Sequence, residues 1–323
     1  MKYKVVLTDK RHTSYYIEKE VLQQIDAELI EGDFSDEDGL IAACADADAL
    51  LVDMAVCTQR VVESLKKCKI ISRYGVGYDN VDVAACSNKG IVVTNVPDYC
   101  DYDVSDFALG HILACMRGIA YRDRMVRQGK WNIQLQHSHR MKDRTLAIIG
   151  FGRIGRCLAK KLAGFELNRL MVCDPNVSAE KIAEYGAEKV DFDTALSQAD
   201  IVSIHVPLND TTRDMFDERA FSIMKPNAIL VNTARGPIVN ADALYSALKD
   251  NKIAFAGIDT HTQEPLQKDN RFFELDNCLL TDHTGYNTIE STISLKTKAA
   301  ENVVAVLSGN MPPNAINSTA LKQ

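Results

Sequence analysis

Apolar residues along this chain fall into two alternating rhythms. Short runs rich in Val, Ile, Leu and Ala, at residues 3–8, 49–53, 69–72, 90–94, 146–149, 169–173, 200–205, 228–232 and 254–258, read as strands. Between them, apolar residues recur at the three-to-four-residue spacing of a helix. Strands this apolar must be covered on both faces, and a helix between consecutive strands is the connection that parallel pairing needs. The pattern predicts an α/β protein, its parallel sheets sandwiched between helices. Nine strands are too many for one modest sheet, so two successive doubly wound units are expected, with a seam near Pro97. A long amphipathic segment then opens at Asp101 or Asp103, either of which suits an N-cap, and sets Val104, Phe107, Ala108, Ile112 and Cys115 on one stripe. His111 lies on that stripe too and reads as a packed or hydrogen-bonded core histidine.

Composition narrows the picture. The chain has 323 residues, 46% hydrophobic and 25% charged, which is enough to bury two cores. No apolar run approaches the ~18 residues of a membrane-crossing helix. Residues 1–7 enter a strand directly, without an export cleavage site, so a cytoplasmic protein with no membrane partner is expected. A formal charge of −7 without a basic cluster argues against direct contact with nucleic acid. The nine cysteines form no C-x-x-C pair and read as reduced, mostly buried thiols. His137 and His139 have no carboxylate or cysteine at ligand spacing, so no metal is expected.

The most informative local motif is Gly150-Phe151-Gly152-Arg153-Ile154-Gly155, which follows the apolar run 146–149 and opens a helical segment. Glycine at 150 permits a tight turn, at 152 a close approach of backbone to a pyrophosphate, and at 155 close packing of helix on strand. The amides that open the helix would hold the diphosphate. Asp174 ends the next strand, on the order of 20 residues further along, where a dinucleotide fold needs a partner for the adenosine ribose. A carboxylate there accepts from both ribose hydroxyls and repels a 2′-phosphate, so NAD is expected in preference to NADP. An Asp that merely turns the chain before Pro175 would leave the glycines unexplained.

With these residues assembled, the chain resembles the D-isomer-specific 2-hydroxyacid dehydrogenases, a family that includes D-3-phosphoglycerate dehydrogenases, hydroxypyruvate reductases and the C-terminal-binding proteins. The resemblance covers nearly the whole chain. It rests on Gly75-Val76-Gly77-Tyr78-Asp79-Asn80-Val81-Asp82, Asn95-Val96-Pro97, the glycine motif, His205-Val206-Pro207-Leu208, Val231-Asn232-Thr233-Ala234-Arg235-Gly236, Asp259, Glu264-Pro265 and His283. It implies two Rossmann-like domains, the cofactor domain inserted into a discontinuous substrate domain. The expected division is residues 1–100 and 292–323 for a flavodoxin-like substrate domain and 101–291 for the NAD-binding domain. Ala299, Val303, Val304 and Leu307 have the helical period that would bring the last segment back onto the first domain. The family further implies a homodimer, built with the insert's first helix and the arm around Trp131.

Arg235, Glu264 and His283 match the family's catalytic positions, and their chemistry can be argued independently. Interconverting an alcohol and a ketone by hydride transfer requires a group that takes and returns the hydroxyl proton, which an imidazole does near neutral pH. Glu264 beside His283 would orient the ring and favour its protonated form. The planar fork of Arg235 suits the substrate's carboxylate and keto oxygen. Taken singly, Arg235 could form a surface ion pair, Glu264 could be a solvated loop acid and His283 could bond to backbone. Together, each in order at a strand end or the loop after it, they fit the rule that ligands bind beyond the carboxyl ends of parallel strands.

The resemblance also implies that Val206, Pro207, Thr233, Ala234 and Asp259 line the nicotinamide ribose and ring, with Asp259 bonding the carboxamide, and that Arg153 and Ile154 contact the cofactor. Tyr74, the amides of Val76 and Gly77, and Tyr286 are expected at the substrate. His205 and His261 read as packing or loop residues. Arg73, Arg122 and Arg124 could meet a substrate phosphate or be plain surface charges.

Some positions depart from the family. Tyr286 stands where the C-terminal-binding branch, otherwise close in Arg73-Tyr74-Gly75-Val76-Gly77 and Val96-Pro97-Asp98-Tyr99-Cys100, has tryptophan, and Thr260-His261-Thr262-Gln263 replaces a more acidic stretch. No regulatory module follows Gln323, so serine-sensitive control is not expected. The sequence leads to an NAD-dependent D-2-hydroxyacid dehydrogenase acting on a small 2-hydroxy or 2-keto acid, with phosphoglycerate, hydroxypyruvate and glyoxylate chemistry all open. The alternative is an NAD(H)-sensing interaction module of the C-terminal-binding type. Formate dehydrogenases usually carry glutamine where Glu264 stands, and Glu264 counts against them.

Overall fold

Every strand among the described residues pairs in parallel. The computed structural model describes residues 2–34, 36–131 and 138–322. His137 and most of the arm after Trp131 lie outside them. The chain divides into two units, Met1–Cys100 with Thr288–Gln323, and Asp101–Asn287. The return crossing is fixed by Thr288, whose side chain accepts from the Ser291 amide and so opens the helix Ile289–Leu307 with a reciprocal cap.

The first unit carries β1 (Tyr3–Leu7), β2 (Ala27–Glu31), β3 (Ala49–Val52), β4 (Ile70–Arg73) and β5 (Val92–Thr94), in the spatial order β2-β1-β3-β4-β5. That is the flavodoxin-like winding. Strand alternation sorts the core onto two faces. Val6, Leu50, Val52, Ile71 and Val93 share one cluster, while Val5, Leu7, Ala49, Leu51, Ile70 and Val92 share the other. The helix Ile289–Leu307 completes the second face with Leu295, Ala299, Val303 and Leu307. Within the same unit Lys296 lies 3.7 Å from the fully buried Glu18 and donates to the Ser14 carbonyl.

The second unit carries β6 (Thr145–Ile149), β7 (Arg169–Cys173), β8 (Glu188–Lys189), β9 (Ile201–Ile204), β10 (Ile229–Asn232), β11 (Phe255–Ile258) and β12 (Cys278–Leu280), ordered β12-β11-β10-β9-β6-β7-β8. The chain winds outward from β6 to β8, then crosses back to β9 on the far side of β6. A topological switch point therefore lies between β6 and β9, where such sheets bind dinucleotides. The helix Asp101–Arg117 covers one face with Ala108, Ile112 and Cys115.

Three strands escape the apolar pattern. In β2 the burial of Ala-Glu-Leu-Ile-Glu alternates along an edge strand, and β8 and β12 have only two and three residues. The nine cysteines are free, and burial pushes the thiols of Cys44, Cys68, Cys86 and Cys115 up to about 12. His139 Nδ1 meets the Arg144 guanidinium at 2.9 Å, and the described residues hold no cluster suited to a metal.

Candidate active site

Six loops of the second unit, each at the carboxyl end of a strand, carry all the candidate residues but Tyr74, Val76 and Gly77. The first is the glycine turn after β6. Gly150 has φ +94, and a Cβ there would come within 2.7 Å of the His205 carbonyl and the Val206 amide. A Cβ at Gly155 would overlap the Gly150 carbonyl oxygen. At Gly152 a Cβ would meet nothing within 4 Å, so the approach to the helix Arg153–Leu162 is open. No side chain caps that helix start, which leaves its first amides to an anion. The Arg153 side chain donates to Asp101 at 2.7 Å, and Ile154 is half-buried in the first turn.

Asp174 ends β7, where one carboxylate oxygen accepts from the Phe151 amide at 2.7 Å and the other from the Asn176 amide at 2.8 Å. Each oxygen keeps a lone pair for a further donor. After β9, Val206 packs on the core and the Pro207 carbonyl accepts from the Thr212 hydroxyl at 2.6 Å. His205 Nε2 meets the Ser203 hydroxyl at 2.8 Å, and burial lowers the ring's pKa to about 4, so it packs there as a neutral imidazole.

After β10, the Asn232 carboxamide bridges the Ala234 amide and the Arg235 carbonyl, both at 3.0 Å, and so folds the turn that presents Arg235. Arg235 Nη1 donates to the Ala234 carbonyl at 2.8 Å. A side chain at Gly236 would overlap the backbone of His261 and Thr262, so this turn lies directly on the loop that carries Glu264. The Thr233 hydroxyl is buried with no partner among the described residues.

Glu264 follows β11 and His283 follows β12. One Glu264 oxygen accepts from the His261 amide and the other meets His283 Nδ1, each at 2.7 Å. Burial acts to raise the Glu264 pKa, but the bonds from His283 and the His261 amide, together with the two imidazoles' charge, outweigh it and hold the carboxyl below its usual range. The His261 ring is anchored on the Thr281 carbonyl at 2.7 Å. Tyr286 stands edge-on to His283 with ring centroids 6.1 Å apart.

Asp259 is 1% exposed, and both its oxygens already take donors from residues 281–285. Sequence reasoning missed Thr281 and the partner it gives His111, because hydrogen bonds between distant segments leave no local pattern. In the first unit, the turn after β4 is fixed by Val96 donating to the Gly75 carbonyl at 2.9 Å and Asn95 to the Val76 carbonyl at 2.7 Å. The amides of Val76 and Gly77 find no acceptor among the described residues. Tyr74 needs a correction. Its ring is 2% exposed and its hydroxyl donates to Glu18 at 2.9 Å, so the side chain belongs to the core of the first unit and is not available to a substrate. Arg73 lies against Gly75, and Arg124 pairs with Asp276 at 2.8 Å.

Comparison with known proteins places this geometry. Residues 109–285 match the model of the D-isomer specific 2-hydroxyacid dehydrogenase NAD binding domain. A glyoxylate reductase of Thermococcus litoralis is 39% identical over 81% of this chain and 81% of its own length. A D-3-phosphoglycerate dehydrogenase of Methanocaldococcus jannaschii is 35% identical over 99% of this chain, which spans 60% of that longer protein. The D-lactate dehydrogenase of Aquifex aeolicus, solved with NAD and lactic acid, superposes with a TM-score of 0.85 at 25% identity, covering 95% of this chain and 96% of that one. The chain belongs to the D-isomer specific 2-hydroxyacid dehydrogenase family.

Proposed function

We propose that the protein is an NAD-dependent oxidoreductase that interconverts a small D-2-hydroxy acid and its 2-keto acid. The observation that carries this reading is the 2.7 Å contact of His283 Nδ1 with Glu264, at the same sheet edge as an uncapped helix start behind a glycine turn. The residues fit the cofactor. There is open space at Gly152, a carboxylate at Asp174 whose oxygens each accept only one backbone amide, and an orphaned buried hydroxyl at Thr233. Gly150, Gly152, Arg153, Ile154 and Gly155 are assigned to the diphosphate, and Val206, Pro207, Thr233 and Ala234 to the nicotinamide half. When bound, NAD supplies the acceptor or, reduced, the donor of a hydride.

The chain's own residues supply the rest. Glu264 binds the Nδ1 proton of His283, which leaves Nε2 as the atom that gives a proton to the keto oxygen in reduction and takes one from the hydroxyl in oxidation. Glu264, held below its usual range, stays ionised at neutral pH and keeps the ring oriented for that exchange. Arg235 is assigned to the substrate's carboxylate and keto oxygen, and Val76, Gly77 and Tyr286 to further substrate contacts. The relatives' names make glyoxylate, hydroxypyruvate and 3-phosphohydroxypyruvate the first acids to try.

No helix among the described residues is long and apolar enough to cross a membrane, and we place the protein in the cytoplasm without a nucleic-acid partner. The exposed Ile119, Val126 and Trp131, on and after the helix Ile119–Arg127, support a homodimer.

The cofactor assignment has a direct test. Wild-type protein should reduce a small 2-keto acid far faster with NADH than with NADPH, and Asp174→Ala should narrow that ratio by roughly tenfold, the effect of losing one hydrogen bond to a charged group. An unchanged ratio would count against Asp174, and no keto-acid-dependent oxidation of either donor would defeat the reading.

A further inference from the structure

Asp259 binds three successive amides of the loop that carries His283. Its carbonyl accepts from the His283 amide at 2.8 Å, one carboxylate oxygen from Thr284 at 3.1 Å, and the other from Gly285 at 3.0 Å. The Thr281 hydroxyl donates to the same carboxylate at 2.6 Å. His283 sits at φ +56, in the left-handed region that a non-glycine residue occupies only when its surroundings hold it there. At Gly285 a Cβ would stand 2.9 Å from the Asp259 carboxylate and 3.2 Å from the Phe107 ring, so the loop is drawn tight against both.

A second layer lies behind the first. A carboxylate only accepts, so the Thr281 proton points to Asp259 and the hydroxyl oxygen is left to accept from His111 Nε2, 3.2 Å away and 170 residues earlier in the chain. His111 is 4% exposed on the helix Asp101–Arg117 and rests on the Phe107 ring. A side chain at Gly257 would come within 2.8 Å of His111 Nδ1, so the helix is packed tightly against β11 at this point.

We infer that Asp259 and Thr281, backed by His111, are positioning residues that hold the backbone of His283 in its left-handed conformation and so aim the ring at Glu264. On this account the Asp259 carboxylate serves the loop before it serves the nicotinamide carboxamide. The inference rests on the reading of His283 as the proton-carrying group. Four donors of one loop on one buried residue are hard to explain otherwise. Asparagine at 259 would turn an NH2 towards a donor, and valine at 281 would keep the shape of threonine and delete its bond.

The test compares Thr281→Val, Thr281→Ser and Asp259→Asn. Its readouts are kcat and KM for the keto acid, NADH Kd from NADH fluorescence, and hydrogen exchange of a peptide spanning residues 282–287. Thr281→Val should lower kcat about tenfold or more, on the scale expected for a slightly misplaced catalytic group, with NADH Kd within about twofold of wild type. Exchange should quicken at 282–287 and not in β6 or β9. Thr281→Ser should restore both. Asp259→Asn should lower kcat about 100-fold with NADH Kd little changed.

Wild-type kcat and unchanged exchange in Thr281→Val would overturn the inference, as would an Asp259→Asn protein that keeps its kcat and loses NADH affinity. Should the valine variant fail to fold, Thr281→Ala gives the same comparison. If His283→Ala kept its turnover, the underlying reading would fail. If His283→Ala were inactive and Thr281→Val normal, only the clasp would fail.

Discussion

Replacing His283 by alanine should lower the turnover of 2-keto acid reduction about 100- to 10,000-fold while leaving NADH affinity close to wild type. Among the described residues the ring is the one imidazole held by the Glu264 carboxylate, at 2.7 Å through Nδ1, whereas the His205 ring pairs with Ser203 and the His261 ring with the Thr281 carbonyl. The glycine turn and Asp174, which are assigned to the cofactor, lie on the loops after β6 and β7 and do not depend on that ring. Steady-state kinetics with saturating NADH, beside a fluorescence titration of NADH alone, separate the two effects. A variant with a near-normal rate would remove His283 from its role.

The same pair sets a pH dependence. Glu264 is held below its usual range, so its charge persists as pH falls and is lost only on passing through that depressed value. The part of kcat/KM that depends on this carboxylate should therefore be complete at neutral pH and survive to below ~4.3, the ordinary glutamate value. An acid limb of kcat/KM centred well above that, and abolished in Glu264→Gln, would contradict the assignment.

The second large effect is expected at Gly155, where valine should abolish measurable NADH binding. Its Cβ would overlap the Gly150 carbonyl oxygen and stand 3.2 Å from the Ile148 side chain. Backbone cannot swing aside as a flexible side chain does, so the helix Arg153–Leu162 must move off β6 and carry its first amides away from the diphosphate. Overpacking of this kind costs about 1–3 kcal/mol, so a thermal melt should fall by several degrees without loss of the folded state. Retained NADH affinity in a folded Gly155→Val protein would show that the turn is not where the cofactor binds.

Features set by neighbouring residues were legible before any coordinates. Short apolar runs set between segments of helical period located nine strands, and the order of glycines after the strand at 146–149 marked the turn that became the switch point of the second sheet. Tertiary hydrogen bonds were not legible. Nothing near His111 in the sequence announces Thr281, and nothing near Tyr74 announces Glu18, although each pair shares a hydrogen bond in the fold. Asp259 shows the limit most clearly. A family motif identifies the residue, but only the folded loop shows that its oxygens are occupied by the backbone around His283.

The measurement that bears most directly on the central claim is the absorbance of NADH when purified protein is offered pyruvate, hydroxypyruvate, glyoxylate, branched 2-keto acids and 3-phosphohydroxypyruvate in turn, with the handedness of each chiral product determined. At least one acid should be reduced with turnover, and its product should be the D-2-hydroxy acid. NADH that binds tightly but is not consumed with any of them, or an L product, would contradict the account.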